Sequence, residues 1–315
     1  MYKRLRIWLF VLLGTLLASS TLLAEGVITM TTSKAVGEKI GLYIEANGNI
    51  AIEGAQEAGQ ASAYGSKDYT IKSQVVVIRG DVTELNCSWN QLTSLDVSKS
   101  AALEVLYCSY NKLTSLDVSK NIALTELNCY GNQLPSLDVS KNIALKELYC
   151  GENQLTSLDV SKNTALTILD CFSSKLTSLD LSKNTALTEL NCYGNQLPSL
   201  DVSKNTALTD LSCGWNQLTS LDVSKDIALT ELDCDGNQLT NLNISRCARL
   251  EVLFCFSNCI NGEAMTKLVN SLPNRKGESS GTLRVVSRSS KKSDKNRCSA
   301  ADITTAKKKN WEVRQ

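Results

Sequence analysis

The stretch TELNCYGNQLPSLDVSKN occupies residues 125–142 and recurs without change at residues 188–205. The two copies begin 63 residues apart, which is three times 21. The same 21-residue unit runs through the middle of the chain as L-x-x-L-x-C-x-x-N-x-L-x-x-L-D-V-S-K-N-x-A. A fixed period of this length is typical of solenoids, in which each repeat is one structural unit stacked on the next.

Cysteine is the most regular residue of the repeat. Nine of the 12 cysteines follow one another in steps of 21 residues, and we call them the ladder cysteines: Cys87, Cys108, Cys129, Cys150, Cys171, Cys192, Cys213, Cys234 and Cys255. A leucine lies two residues before each of them, and an asparagine lies three residues after each, except that Ser174 follows Cys171. This arrangement predicts leucine-rich repeats in which cysteine replaces one of the usual leucines.

The alternation in L-x-C predicts a short β-strand whose leucine and cysteine point inward. Stacked turns then form a parallel sheet, because one turn cannot bury its own apolar face. We expect the asparagine of each turn to lie inside and to bond the backbone of neighbouring turns. The fold class is therefore a leucine-rich repeat solenoid. Its curved parallel sheet lines the concave side, and the SLDVSKN segments form an irregular or 3₁₀-like convex side.

The ladder cysteines are predicted to be buried free thiols. Parallel stacking places them about 4.8 Å apart with parallel Cβ vectors, which does not give the geometry of a disulfide. A metal ladder is disfavoured because no C-x-x-C pair exists, so neither a metal nor a cofactor is expected. Cys247, Cys259 and Cys298 lie off the ladder, and a Cys259–Cys298 disulfide or unpaired thiols are both left open.

The segment LTELNCYGNQLPSLDVSKNTA, residues 187–207, resembles the 21-residue cysteine-containing repeat of the bacterial internalins, closest to the internalin J type. The resemblance covers residues 82–262. It implies a curved solenoid with a cysteine ladder, in a secreted or surface protein that binds a host or bacterial surface partner. The sequence has no LPxTG motif, so covalent anchoring to a cell wall is not expected.

Four segments follow from these patterns. Residues 1–24 are predicted to be a signal peptide, because Lys3, Arg4 and Arg6 precede the apolar run IWLFVLLGTLLA and small residues. Cleavage after Ser20 or after Ala24 fits this pattern. We expect an exported protein without a second membrane span, secreted or at the cell surface, with the periplasm as the alternative.

The other segments are a β-rich N-terminal cap at residues 25–81, nine repeats at residues 82–262 and a C-terminal cap at residues 263–315. Ile71 and Val76 lie 21 residues before Leu92 and Val97, which favours a partial turn at the end of the first cap. The second cap is predicted to be α/β, with helices at GEAMTKLVNSLP and SAADITTAKKKN and strands at GTLRVVS and WEVRQ.

The composition excludes several kinds of active site. The chain has no histidine, which rules out Ser-His-Asp and Cys-His nucleophilic sites and every histidine-bearing zinc site. Paired carboxylates remain available, so a glycoside hydrolase is an alternative, but a regular ladder offers no unique pair of them. We therefore expect a protein that is not an enzyme. The chain has 33 Lys and Arg and 32 Asp and Glu, so its net charge does not favour any class of partner.

Aromatic and acidic residues share the outward positions beside each L-x-C. The predicted ligand-binding residues of the concave face are Trp89, Tyr107, Tyr110, Tyr130, Tyr149, Phe172, Tyr193, Trp215, Phe254, Phe256, Glu126, Glu147, Glu189, Asp210, Glu231 and Asp233. A solvated sheet that merely stacks its rings is the plainer interpretation. Exposed aromatic runs usually mark contact surfaces, so we predict an adhesin-like protein that binds a protein or glycoprotein.

The chemistry of this face also bears on two other classes of partner. Carbohydrate is the alternative ligand of the same face, because sugar rings stack on aromatics and carboxylates accept their hydroxyls. Nucleic acid is disfavoured, because the acidic residues would repel phosphates. The oligomeric state is left open.

Overall fold

The computed structural model describes residues 26–61, 65–287 and 294–314. The predicted signal peptide, residues 1–24, lies outside the described residues. The chain is a solenoid built on one long sheet, with a second, smaller sheet at its N-terminal end.

Eight strands form the N-terminal part of the fold. They are β1 (Val27–Thr32), β2 (Lys39–Ala46), β3 (Ala51–Glu53), β4 (Ala55–Ala61), β5 (Lys67–Ile71), β6 (Val75–Arg79), β7 (Val82–Asn86) and β8 (Leu92–Asp96). Strands β3, β6, β1 and β8 make a four-stranded sheet in that order. Strands β4, β5 and β2 extend the long sheet beyond β7, and β2 pairs with β7 in antiparallel orientation.

Eight three-residue strands continue the long sheet through the repeats. They are β9 (Val105–Tyr107), β10 (Glu126–Asn128), β11 (Glu147–Tyr149), β12 (Ile168–Asp170), β13 (Glu189–Asn191), β14 (Asp210–Ser212), β15 (Glu231–Asp233) and β16 (Val252–Phe254). All pair in parallel without a register shift, so that Leu127 lies between Leu106 and Leu148. The predicted leucine-rich repeat solenoid is confirmed.

The core runs along the inner side of this sheet. The central leucine of each strand and the ladder cysteine that follows it are buried, together with the leucines and valines of the turn side. Each buried leucine contributes about 1.5–3 kcal/mol relative to an exposed one. The solenoid is therefore stabilised mainly by contacts between neighbouring turns.

The SLDVSKN segments form irregular turns opposite the long sheet. In each segment the aspartate accepts a hydrogen bond from the backbone N–H two residues later, as Asp138 Oδ1 does from Ser140 N at 2.8 Å. Hydrogen bonds from the hydroxyl and the N–H of Ser140 lower the pKa of Asp138. The recurrent aspartates thus fix the bend, because an Asx turn of this kind replaces a backbone turn.

The N-terminal cap is antiparallel throughout. Strand β5 pairs with β2 and β4, whereas β6 pairs with β1 and β3. The interpretation of Ile71 and Val76 as a partial solenoid turn is therefore wrong: their spacing matches the repeat, but their strands run in antiparallel pairs in two different sheets.

The C-terminal cap closes the other end with α1 (Gly262–Ser271), β17 (Gly281–Arg284), α2 (Ala300–Lys308) and β18 (Trp311–Arg314). Strands β17 and β18 extend the parallel sheet, as the sequence predicts. Ser299 and Asp302 form a capping box at the start of α2. Buried Arg275 donates to the carbonyl of Leu250 at 3.2 Å and so ties the cap to the last repeat. Within the described ranges, no helix has both the length and the apolar character needed to cross a membrane.

Candidate interaction surface on the outward side of the sheet

Three columns of side chains run along the outward side of the long sheet, because every strand contributes the same positions in register. The first column lies immediately before the central leucine and is mostly acidic. We call it the carboxylate column: Glu84, Glu126, Glu147, Glu189, Asp210 and Glu231. The second column follows the central leucine and is mixed; it holds Tyr107, Tyr149, Asp170, Asp233 and Phe254.

The third column lies just beyond the strands, one or two residues after the ladder cysteines. We call it the aromatic row: Trp89, Tyr110, Tyr130, Phe172, Tyr193, Trp215 and Phe256. The structure thus separates the ten predicted aromatic residues, because only Tyr107, Tyr149 and Phe254 lie in the strands themselves. Alternation along the sequence could not separate the two groups of aromatic residues. It assigns both to the outward side and does not show that each strand ends one residue before the cysteine.

Rings of the aromatic row contact one another from turn to turn. The ring centroids of Trp89 and Tyr110 are 3.9 Å apart and the rings are stacked, and Tyr110 lies 5.4 Å from Tyr130. Phe172 lies 6.4 Å from Tyr130 and 5.6 Å from Tyr193, again with stacked rings. The five rings therefore form one ridge along the sheet, although Tyr130 and Phe172 lie two turns apart. Their centroid distances of 5.4, 5.6 and 6.4 Å fall in the range where aromatic pairs attract, and the Trp89–Tyr110 pair is closer still.

Glycines in the next turn make room for these rings. A Cβ on Gly131 would lie 2.7 Å from the ring of Tyr110, and a Cβ on Gly214 would lie 2.8 Å from the ring of Tyr193. Either distance is too short for any side chain. The rings therefore lie flat along the sheet and cover the backbone of the following turn.

The backbone that carries part of the aromatic row is strained. The second residue after the ladder cysteine has a positive φ in all nine turns, between 47° and 72°. Glycine occupies three of these positions, whereas Trp89, Tyr110 and Trp215 occupy three others. A bulky residue in this left-handed region costs about 1–3 kcal/mol, and such residues cluster at functional sites. These three side chains are also 66%, 39% and 53% exposed.

The carboxylate column brings like charges together. Glu189, Asp210 and Glu231 lie opposite one another on β13, β14 and β15, and neighbouring strands are about 4.8 Å apart. Burial, Asp210 and Glu251 raise the pKa of Glu231. Over the described strands β7 and β9–β16, no lysine or arginine occupies an outward position to offset this charge.

Tyrosine hydroxyls bond some of these carboxylates. Tyr149 donates to Glu147 at 2.9 Å, and Tyr107 donates to Glu126 of the next turn. Burial and these carboxylates raise the pKa of both tyrosines. The two hydroxyls therefore stay protonated at neutral pH and hold the carboxylates in place on the sheet.

A depression of about 230 Å³ interrupts the sheet surface between β11 and β14. Tyr149 stands on one side, and Asp170, Glu189, Asn191 and Asp210 line the rest. Asn191 donates to Asp170 at 3.0 Å, and burial raises the pKa of Asp170. The depression arises because short side chains follow Tyr149 in the second column. It offers both hydrogen-bond acceptors and one ring face.

Trp215 belongs to a second polar group near the end of the repeats. Its indole N–H donates to Asp235 at 2.9 Å, one turn further along. Burial, followed by a hydrogen bond with Asp233, raises the pKa of Asp235, which is only 1% exposed. Arg284 of β17 lies over the ring of Phe256, with 4.2 Å between the guanidinium carbon and the ring centroid. Arg284 also opposes the rise in the pKa of Asp235 through its positive charge.

The ladder cysteines take no part in this surface. All nine are buried, and burial raises the pKa of each thiol, to about 12 for Cys87 and Cys129. All 12 cysteines are free, so the structure does not contain the Cys259–Cys298 disulfide considered as one alternative. The predicted ladder of free thiols is confirmed as a packing feature. Among the described residues, no group of three or more acidic or cysteine side chains could hold a metal ion.

Two rows of asparagines hold neighbouring turns together. The predicted inner row works as expected: Asn153 donates to the carbonyls of Cys129 and Cys150, both at 3.0 Å, and accepts from Leu134 N at 3.0 Å. A second row in the turn segments was not predicted, and it comprises Asn121, Asn142, Asn163, Asn184 and Asn205. In the sequence, the second row could have been recognised only from the asparagine that recurs in the SKN tripeptide.

Solved structures with the same fold include one that also has a cysteine ladder. The functional domain of InlJ from Listeria monocytogenes, which includes a cysteine ladder, is 31% identical with a TM-score of 0.54. The match covers 69% of this chain and 52% of that one, so the chain spans about half of its length. This match confirms the resemblance to the internalins that the 21-residue repeat indicates.

Two more distant matches support the fold alone. A leucine-rich repeat protein of Leptospira interrogans is 22% identical with a TM-score of 0.54, covering 74% of this chain and 72% of that one. The ectodomain of GASSHO1/SCHENGEN3 from Arabidopsis thaliana, solved in complex with Casparian strip integrity factor 2, is 22% identical with a TM-score of 0.57. It covers 69% of this chain and 27% of that one. No protein-family model and no curated protein matches the sequence.

Proposed function

We propose that this internalin-like leucine-rich repeat protein is a non-enzymatic interaction protein that binds a protein or glycoprotein through the outward side of its sheet. The observation that carries the proposal is the aromatic row. Trp89, Tyr110 and Trp215 are exposed although they occupy strained backbone positions where glycine is favoured. Strained positions of this kind cluster at functional sites, and tryptophan and tyrosine are enriched among the residues that carry binding energy at protein interfaces.

The arrangement of the surface supports the same proposal. The aromatic row gives a rigid apolar ridge, and the carboxylate column provides charge beside it. A partner with a protruding loop could bury rings in the ridge and place donors against the carboxylates. Structural similarity to other leucine-rich repeat proteins, one of them solved with its factor bound, is in keeping with a protein-interaction role.

Carbohydrate is the second candidate ligand, on the strength of the depression near Tyr149. Asp170, Glu189 and Asp210 offer acceptors for hydroxyl groups beside a ring face. A sugar residue of a glycoprotein would fit this chemistry. Export by the N-terminal signal peptide and adhesion to a host or bacterial surface belong to the proposal as well, and rest on the sequence and on the resemblance.

The test is binding of fluorescently labelled protein to intact host and bacterial cells. A Tyr149→Ala/Phe172→Ala/Tyr193→Ala variant is expected to lose most of the binding. The matched control is Ile122→Ala/Ile143→Ala, since these isoleucines are exposed in the turn segments, away from the sheet. Protease treatment of the cells distinguishes a protein partner, and periodate treatment distinguishes a glycan. Unchanged binding by a folded triple variant contradicts the proposal.

A further inference from the structure

The outward side of the sheet already receives one cation, and it comes from the chain itself. Arg284 is the arginine that follows Phe254 in the second column, one strand further along. Its guanidinium carbon lies 4.2 Å from the centre of the Phe256 ring. Arg284 therefore shows how a guanidinium is bound by a ring of the aromatic row.

The charge around Arg284 completes this arrangement. Asp233 lies in the second column and Asp235 just beyond the strand, both in the turn before Phe256, and the positive charge of Arg284 opposes the rise in the pKa of Asp235. A guanidinium stacks on aromatic rings with its flat face and donates to carboxylates with the N–H groups in its plane. A surface that carries both rings and carboxylates therefore offers two ways to bind arginine.

Rings and carboxylates recur upstream, where no lysine or arginine occupies an outward position of the described strands β7 and β9–β16. The aromatic row continues through Tyr193, Phe172 and Tyr130 towards Trp89, and the carboxylate column runs beside it. Glu189, Asp210 and Glu231 lie in register on neighbouring strands. Like charges in direct opposition destabilise a sheet, and bound cations would remove this cost.

The separation of the two columns indicates the shape of the ligand. A member of the carboxylate column lies four positions before the first residue after the ladder cysteine, as Glu126 does before Tyr130. In an extended chain this step corresponds to about 13 Å. An extended polypeptide lying along the sheet can direct side chains to both columns. Charge complementarity selects a partner rich in positive charge, and the rings favour arginine over lysine.

We propose that the aromatic row and the carboxylate column bind an extended, arginine-rich segment of a partner protein, with the stacked guanidinium groups placed as Arg284 is placed on Phe256. This inference rests on the proposed function and names the chemistry of its partner. Some arginine side chains would stack on rings of the row, and others would donate their N–H groups to the carboxylate column.

The test uses a fluorescein-labelled 12-residue peptide of alternating arginine and serine, with fluorescence anisotropy as the readout. Matched peptides carry citrulline or lysine in place of arginine. Citrulline keeps the shape of the side chain and removes its charge. We expect the arginine peptide to bind, the lysine peptide to bind several-fold more weakly and the citrulline peptide not to bind. Affinity should also fall as salt rises.

Two variants separate the components of the surface. Glu189→Gln/Asp210→Asn/Glu231→Gln removes like charges without changing shape, so it should weaken arginine-peptide binding at least tenfold while leaving stability equal or higher. Trp89→Ala removes the exposed end of the ridge and should weaken binding several-fold. Ile143→Ala in a turn segment is the control and should bind as the wild type does.

Several outcomes would overturn the inference. If the citrulline and arginine peptides bind equally, the surface does not recognise the charge of the side chain. If the lysine and arginine peptides bind equally, stacking of guanidinium groups does not contribute to binding. Unchanged affinity in the triple variant would place the peptide elsewhere. Self-association that the triple variant abolishes, measured by sedimentation, would mean that a second copy of this chain, and not a partner protein, is the occupant.

The peptide assay and the cell-binding assay together distinguish a failure of the arginine preference from a failure of the proposed function. If the peptides do not bind but cell binding still depends on Tyr149, Phe172 and Tyr193, the arginine preference is wrong and the interaction surface stands. If neither assay depends on the surface, the proposed function fails as well.

Discussion

Asn205 and Asp226 occupy the same buried position in consecutive turns, yet only Asn205 bonds through its side chain. Its Nδ2 donates to the carbonyls of Asn184 at 2.8 Å and Leu181 at 3.2 Å. Neither carboxylate oxygen of Asp226 has a hydrogen-bond partner among the described residues. Burial therefore raises the pKa of Asp226 to about 6. The second asparagine row ends here because a carboxylate cannot donate.

The substitution Asp226→Asn should restore this row and stabilise the protein. The new amide can donate to the carbonyls that correspond to those bonded by Asn205, and no buried charge remains. We expect the free energy of unfolding at neutral pH to rise by about 1–3 kcal/mol. Urea denaturation of both proteins measures the difference.

The gain should depend on pH in a defined direction. The folded pKa of about 6 is above the ordinary value of about 3.9, so the folded state holds the proton more tightly than the unfolded state does. The cost of Asp226 is absent below pH ~4, grows between pH ~4 and ~6 and is complete above that range. Asn205→Asp should introduce the same pH dependence one turn earlier. A gain that is constant between pH 4 and 8 would contradict this account.

Ser174 is the one interruption of the inner asparagine row, and its hydroxyl oxygen has no hydrogen-bond partner among the described residues. Ser174→Asn should supply the bonds that Asn153 makes one turn earlier, and we expect stabilisation by about 1–2 kcal/mol. The reverse change, Asn153→Ser, should destabilise the protein by at least as much. Thermal unfolding monitored by circular dichroism checks both, and a destabilised Ser174→Asn protein would show that this turn has no room for the amide.

Gly214 is expected to be intolerant of any side chain. A Cβ at this position would lie 2.5 Å from Asp235 Oδ1 and 2.8 Å from the Tyr193 ring. Gly214→Ala should therefore displace Tyr193 or Asp235 and destabilise the fold by about 1–3 kcal/mol. Gly41→Ala is the matched control, because no atom lies within 4 Å of its added Cβ. Equal stabilities of the two variants would argue against close packing of ring on glycine.

The thiols should be protected in the folded protein. Burial raises the pKa of the ladder cysteines, and a buried thiol with a high pKa reacts slowly with aromatic disulfides. At pH 8 we expect the partly exposed Cys259 to react first in the native state, and the partly exposed Cys298 to react more slowly because burial raises its pKa to about 11. Unfolding without reductant should release all 12 thiols. A count of ten would reveal a disulfide outside the ladder, and a count below nine would contradict the ladder of free cysteines.

The sequence predicted most of the repeat and its C-terminal cap, because each element has a local pattern. The helix at residues 262–271 and the strand that begins at Trp311 follow from periodicity and capping residues. The N-terminal cap was only partly predicted. Its strands were recognised, but the antiparallel partners of β5 and β6 depend on contacts between distant segments.

The interaction surface shows the same division. Outward positions such as Glu126 and Tyr149 could be assigned from alternation along the strand. The strained backbone under Trp89 and the stacking of Tyr110 over Gly131 could not, because both depend on how one turn lies against the next. The second asparagine row was visible as a repeated letter, but its role depends on carbonyls one turn away.

The amino-acid sequence by itself determined the solenoid, its period and the inward position of every ladder cysteine. It could do so because leucine, cysteine and asparagine recur at one spacing, and each turn can bury its apolar side only against an identical neighbour. Only the tertiary structure decided which aromatic residues form a continuous ridge and which carboxylates oppose one another. Those relationships depend on the register and spacing between turns, because the side chains that contact one another belong to different repeats.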